Sequence, residues 1–214
     1  MLARLLLPAT CVGCGLLLRE AAPPLPLCTA CAPEAVPLPA AARAQDGIGA
    51  LFAYEGPLRS AVTRLKFGGQ PALAGPLGRL LGGAPELERG PWDLLAPIPL
   101  HRSRALARGY DQAALLALWL HRSWPAGPRP RLAPRLLRRT RATAPQTDLD
   151  RRARAKNLRR AFVARAPKEA IAGRRILLID DVTTTGATLA AGRAALYAAG
   201  AAEVVGLALL RALP

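Results

Sequence analysis

Two adjacent carboxylates, Asp180 and Asp181, stand directly before the run Val182-Thr183-Thr184-Thr185-Gly186-Ala187-Thr188. The hydroxyls of Thr183, Thr184, Thr185 and Thr188 are hydrogen-bond donors, and Gly186 lets the backbone come close to a ligand. A helix that begins at Ala187 would add free N–H groups and a positive dipole end, which favour an anion and most naturally a phosphate. A carboxylate beside a phosphate repels it, so the two acids need another task. They can accept hydrogen bonds from sugar hydroxyls or hold Mg²⁺, which takes oxygen ligands. Phosphate, diol and metal together describe a phosphorylated ribose. The lysine and first glycine of a P-loop are missing and no GxGxxG occurs, so neither common nucleotide loop competes.

Two further groups carry chemistry. The four cysteines form two pairs, Cys11-Val12-Gly13-Cys14 and Cys28-Thr29-Ala30-Cys31. Two thiolates separated by two residues sit on a tight knuckle, and two such knuckles suit one tetrahedral zinc with a structural role, four thiolates leaving no open position. Two disulfides or a redox CxxC are the alternatives; a reducing cytoplasm disfavours the first and the closeness of the pairs the second. The second group is His101-Arg102-Ser103-Arg104-Ala105-Leu106-Ala107-Arg108, an arginine-dense loop between a strand and a helix and so a second anion site.

These residues need elements to position them. The apolar run 176–179 reads as a parallel strand buried on both faces, ending where the acids begin. An Ala-rich helix over 187–199 should stop at Gly200, and 203–210 should be the next strand, completing a βαβ unit. Upstream, 47–54 reads as the strand that opens the main domain, 58–67 and 73–81 as helices, 94–99 as a strand and 113–121 as a helix with a broad apolar face. Residues 23–44 are rich in Pro and Ala and read as the end of the cysteine module and a linker. Residues 129–160 hold twelve basic residues against Asp148 and Asp150, so ten of the sixteen net charges lie there. Charge this dense reads as a mobile arm, with Phe162 and Val163 rejoining the sheet; a solvated basic linker is the plainer alternative.

The 214-residue chain carries a net charge of +16, which suits a polyanionic partner. All but three of its 30 basic residues are arginine, a bias that a GC-rich genome also produces, and aromatic content is only 4%. Few aromatics leave few stacking platforms for bases. No apolar run is long enough to span a bilayer, and the opening 1–7 is too short for a signal peptide's apolar region, so a cytoplasmic protein is expected. Two histidines cannot supply a metal-binding His cluster or a Ser-His-Asp set.

The strand–acid–Thr/Gly segment resembles the signature of type I phosphoribosyltransferases. Further blocks narrow the likeness: Pro99-Leu100-His101-Arg102, Arg108-Gly109-Tyr110-Asp111-Gln112, the set Arg141, Thr143, Gln146, Thr147 and Leu149, and Arg154-Ala155-Lys156-Asn157-Leu158. With the cysteine pairs they resemble the ComF/GntX family, which joins a Cys₄ finger to a phosphoribosyltransferase domain. The resemblance implies a doubly wound α/β fold with a Rossmann-like parallel sheet over 45–214 and a zinc module with its linker over 1–44. It implies binding of phosphoribosyl pyrophosphate with Mg²⁺: Asp180 and Asp181 on the ribose hydroxyls, residues 183–188 on the 5′-phosphate, and 100–108 with Arg102 and Arg108 on the pyrophosphate. It implies a flexible loop in 129–160, with Gln146, Arg152 and Asn157 as its family-pattern residues and Arg152 a catalytic candidate. Family members usually carry Asn where this chain has Asp111. Two function classes follow. One is an accessory of DNA uptake that handles single-stranded DNA alongside other uptake proteins. The other is a base-salvage phosphoribosyltransferase with no DNA role.

Overall fold

Along the aliphatic run, Ile176 and Leu178 are buried in one hydrophobic cluster while Leu177 and Ile179 are buried in another. That period of two, apolar on both sides, is what a strand sandwiched between two layers requires. In the computed structural model the described residues are 10–18, 26–125, 127–140 and 161–213. The strands are β1 (Ala44–Gln45), β2 (Ile48–Ala53), β3 (Leu94–Pro97), β4 (Arg131–Leu132), β5 (Leu137–Arg139), β6 (Phe162–Ala164), β7 (Arg175–Thr183) and β8 (Glu203–Arg211). The α-helices are α1 (Ala40–Arg43), α2 (Gly56–Phe67), α3 (Ala74–Leu80), α4 (Arg102–Arg108), α5 (Gln112–Arg122) and α6 (Ala187–Ala198).

The main sheet has the order β1-β2-β8-β7-β3-β4, parallel throughout except for the antiparallel edge pair β1–β2. One face buries Leu51, Leu95, Leu177, Val205 and Leu207 against α2, α3 and α5. The other buries Ala50, Ala96, Leu178 and Ala208 against α6 and against Leu137 and Phe162 of the β5–β6 hairpin. The protein is therefore a doubly wound α/β fold, a mostly parallel sheet flanked by helices, as the sequence implies. The βαβ unit β7–α6–β8 forms as expected, with Gly200 in the left-handed region at φ 94° just past α6.

Four expectations are corrected. The strand carrying the acids does not end at Ile179: β7 continues to Thr183, because β8 keeps pairing with it, Asp180 opposite Ala208 and Thr183 opposite Arg211. The stretch 102–108 is a helix, not a loop, its Ala, Leu and Arg residues being strong helix formers. Only part of the basic block could be an arm, since Arg131 and Leu132 pair with β3 and β5 carries buried Leu137. Phe162 does not rejoin the main sheet: β6 pairs with β5 as a separate two-stranded sheet. The remainder of that block, with Gln146, Arg152 and Asn157, lies outside the described residues.

The stretch read as a linker also packs. Leu38 is fully buried, Leu38 N donates to Leu51 O at 2.9 Å, and Ala53 N donates to Val36 O at 2.9 Å. Residues 36–45 thus cover the edge of the sheet beside β2, an edge that would otherwise present free backbone groups. The first cysteine knuckle sits on the start of α2. A Cβ at Gly13 would lie 2.5 Å from the Cβ of Pro57, so only glycine allows the approach. Arg64 of α2 donates to the carbonyls of Val12 and Gly13, the latter at 2.7 Å.

Candidate functional site

The C-terminal half of β7 places the acids where one neighbouring strand stops. β3 accompanies β7 as far as Ile179, whose carbonyl accepts from Ile98 N at 2.8 Å. Beyond that point the acid side chains take up following backbone donors: Asp181 N donates to Asp180 Oδ1 at 2.9 Å and Val182 N to Asp181 Oδ1 at 2.7 Å. Both carboxylates are buried, Asp180 at 9% exposure and Asp181 at 2%. Lys66, at the end of α2, pairs with Asp181 Oδ1 at 3.0 Å. Asp181 Oδ2 is buried and has no hydrogen-bond partner among the described residues, although buried polar atoms are nearly always paired.

Electrostatics follow from that burial. Loss of water, and then the neighbouring charge of Asp181, push the Asp180 carboxyl well above the usual carboxylate range, with Lys66 acting the other way. Arg139 on β5 is held below its ordinary value by burial and by the nearby Arg104, while the charge of Asp180 opposes the shift. Asp180 therefore stands within the field of an arginine that the sequence did not single out.

A cavity of about 660 Å³ opens beside Lys66, lined by Lys66, Phe67, Leu100, Arg104, Arg108 and Gln112 among others, and among the described residues no lining residue is acidic. Arg108 donates to Gln112 Oε1 and lies over the Phe67 ring, 5.2 Å from its centroid. Arg108 is thus placed in this cavity. Arg102 is exposed on the same helix and does not line it, whereas Arg104 does. Thr183 is buried at the end of β7; Thr184, Thr185 and Gly186 line a second cavity of about 620 Å³ together with Gln45, Arg193 and Arg211. Gly186 opens α6 at φ 76°, a conformation that favours glycine, and a Cβ there would lie 3.0 Å from Ile48 Cδ1. Thr185 Oγ1 accepts from Ala187 N at 3.4 Å, and Ala187 and Thr188 are half-buried in the first turn of α6.

The cysteines converge as their spacing requires. All four Sγ atoms lie within 4.8 Å of one another, and the four are free thiols. Cys14 Sγ and Cys28 Sγ are 3.7 Å apart, and Cys28 N donates to Cys11 Sγ at 3.3 Å. Burial alone would push the Cys11 thiol up, but backbone donors at Cys14, Cys28 and Gly13 bring it down to about 6. Burial and the surrounding thiols push Cys31 up. Sulfurs bound to one tetrahedral zinc at about 2.3 Å stand about 3.8 Å apart, so the cluster could hold a metal such as zinc.

No family model matches the chain. Among curated proteins it is 35% identical over 160 residues to DNA utilization protein YhgH of Escherichia coli (strain K12), a match spanning 71% of this chain and 66% of that one, just under two thirds of its length. It is 33% identical over 203 residues to DNA utilization protein YhgH of Salmonella typhimurium, spanning 91% of this chain and 80% of that one. The chain belongs to the ComF/GntX family. Competence protein F of Haemophilus influenzae is 35% identical over 141 residues, 64% of this chain and 60% of that one. A solved structure entitled "Structure of the allosteric regulatory enzyme of purine biosynthesis" is 18% identical and covers 62% of this chain and 24% of that chain, with a TM-score of 0.40.

The geometry explains what Asp111 does here. Its Oδ1 accepts from Ala114 N at 3.1 Å and caps α5, while Oδ2 accepts from Leu100 N at 2.8 Å and fixes the end of the segment after β3. A carboxylate offers an acceptor oxygen to each donor; an amide has one. Burial holds this carboxyl above its ordinary value, with the backbone N–H donors of Leu100, Ala114 and Ala113 opposing the shift.

The raised Asp180 carboxyl sets a pH dependence. In the unfolded chain an aspartate releases its proton near 3.9, so above that pH the unfolded state ionises while the folded state still holds the proton. The stability that this one group contributes is therefore present near pH 4, declines as pH rises and is gone above its folded-state value. Asp180→Asn keeps the acceptor for Asp181 N and removes this loss. Its melting temperature should exceed that of the parent at pH 8, with the gap closing towards pH 4; a gap independent of pH would contradict the burial of a strained carboxylate.

Proposed function

We propose that the chain binds phosphoribosyl pyrophosphate with Mg²⁺ and takes part in DNA uptake during natural transformation, handling single-stranded DNA from the cytoplasmic side. What supports the ligand is the buried pair Asp180–Asp181, linked through Lys66 to a cavity whose charged lining is cationic among the described residues, which also leave one Asp181 oxygen without a partner. A ribose hydroxyl or a metal-bound water would satisfy Asp181 Oδ2. Lys66, Arg104 and Arg108 suit a pyrophosphate, and the N-terminal turn of α6 with its threonines suits the 5′-phosphate. The names of the relatives, DNA utilization and competence, support the role in DNA uptake. We divide the chain into a Cys₄ module over 1–44, its last residues packed on the sheet edge, and a phosphoribosyltransferase-like domain over 45–214.

Bound Mg²⁺ would supply charge neutralisation on the pyrophosphate. Asp180 and Asp181 would hold the ribose, and the three cations of the cavity would offset charge on the group that leaves C1; such positioning and electrostatics are the main catalytic resources for this class of displacement. With ligand at 100 times its Kd and excess magnesium, stability should rise by about 2.7 kcal/mol, roughly 5–10 °C for a chain of this size. Asp181→Asn should lose most of that shift and still melt cooperatively. No shift with millimolar ligand and magnesium would remove the reading, and pyrophosphate release on adding a free nucleobase would move the chain to the salvage transferases.

Zinc is the metal this reading assigns to Cys11, Cys14, Cys28 and Cys31. Metal analysis of protein purified without chelator should give one zinc per chain, and Cys28→Ser should abolish it. A stoichiometry near zero with four reactive thiols refutes the site.

For DNA, the basic block and Arg102, Arg104 and Arg108 should bind mainly through phosphates. If about six phosphates are neutralised, the logarithm of affinity should fall against the logarithm of salt with a slope near −4. Fluorescence anisotropy of a labelled oligonucleotide across salt concentrations measures it. Binding insensitive both to salt and to charge reversal within 129–160 would remove the electrostatic account.

A further inference from the structure

The chain has three Phe, three Tyr and three Trp, and the fold packs most of them away. Phe67 is the exception at 77% exposure; Tyr197 follows at 43%, while Trp92 and Phe162 are buried and the others are half-buried. A lone exposed phenylalanine is ordinary on a protein surface. This one is held in place and faces a cationic cavity.

Two hydrogen bonds fix the helix end that carries it, and one contact touches its ring. Gly68 N donates to Arg64 O at 2.8 Å and closes α2 immediately after Phe67. Tyr110 Oη donates to Leu65 O at 2.5 Å, tying the end of α2 to the turn that follows α4. Arg108 lies over the Phe67 ring and is itself held by Gln112. Phe67, Arg108 and Gln112 then line the 660 Å³ cavity together with Lys66 and Arg104. An exposed aromatic ring with a guanidinium over it offers planar surface that any base can stack on, and cations within the same cavity offer the neighbouring phosphate its counter-charge. Pyrophosphate alone would use the cations and leave the ring unused.

We propose that Phe67 with Arg108 is a stacking platform for a nucleobase at the rim of the cationic cavity, with Lys66 and Arg104 meeting the phosphate attached to it. The inference rests on the reading of this cavity as a phosphate site and adds the planar half of the ligand. A base within a DNA strand and a base on a mononucleotide share this chemistry.

The test compares a labelled oligothymidylate with an abasic oligonucleotide of the same length, at one low salt concentration, on the full chain and its Phe67→Ala and Phe67→Trp variants. Loss of one stacked base weakens binding by between about fivefold and about 150-fold. Phe67→Ala should show that loss on the oligothymidylate and less than about twofold on the abasic strand, and Phe67→Trp should retain parental affinity for both. Thymidine 5′-monophosphate as competitor separates the sources: displacement of the oligonucleotide from the parent chain assigns the platform to mononucleotides, and failure to displace assigns it to the strand. Equal losses on both oligonucleotides, or no loss on either, overturn the platform. The two readings fail separately, since the phosphoribosyl pyrophosphate shift is read on the parent chain and base dependence on the Phe67 variants.

Discussion

Two carboxylates on consecutive residues of one buried strand are the constraint around which the molecule is arranged. Consecutive strand residues point to opposite faces, so the pair cannot share one solvated edge, and each acid meets its own side of the fold. Asp181 meets Lys66 from the helical face, and Asp180 is within the field of Arg139 from the face carrying the β5–β6 hairpin. Among the described residues one ion pair serves the two buried acids: loss of water and then the charge of Asp181 raise the Asp180 carboxyl, and Asp181 Oδ2 is left without a partner. The cost of the arrangement is offset by the four aliphatic residues before it, Ile176, Leu177, Leu178 and Ile179, all fully buried and each worth about 1.5–3 kcal/mol relative to exposure.

Cations and backbone dipoles then occupy the margins of that pair in a graded way. The Lys66 ammonium is a compact charge on a flexible stem, paired with Asp181 and at the same time part of the cavity lining. Arg104 and Arg108 are set on a helix whose C-terminal residue Arg108 precedes Gly109 in the left-handed region at φ 80°. The α6 terminus contributes oriented N–H groups and no net charge.

Much of this was legible in the residues themselves. The strand β7, helix α6 and strand β8 follow from an aliphatic run, an Ala-rich stretch and Gly200, and the cysteine cluster follows from spacing alone. Helix α4 left a readable trace too: Ala, Leu and Arg inside it, His101 capping Ser103 N at its start and Gly109 just past its end, but the density of arginine suggested a loop. β4 and β5 were hidden for a different reason. Strands of two and three residues are too short for any period to register, and they exist because β3 and β6 offer them partners. Lys66 and Arg139 reach the acids through tertiary contact between segments far apart in the chain, which local pattern does not encode. Lys66 did carry a faint signal, being one of only three lysines where arginine is the rule.

The end of α2 has a consequence for how this sequence can change. Four successive residues there hold four different parts of the molecule: Arg64 the first cysteine knuckle, Leu65 the Tyr110 hydroxyl, Lys66 the acid pair and Phe67 the Arg108 guanidinium. Successive helical residues are rotated by about 100° from one another, so each engages its target only at one phase of the helix. Any of the four can be exchanged with local effect, but inserting or deleting one residue upstream in α2 would turn all four away together. Length in this helix is under tighter constraint than composition, and drift among relatives should show as substitutions within the turn and as gaps only in the loops around it.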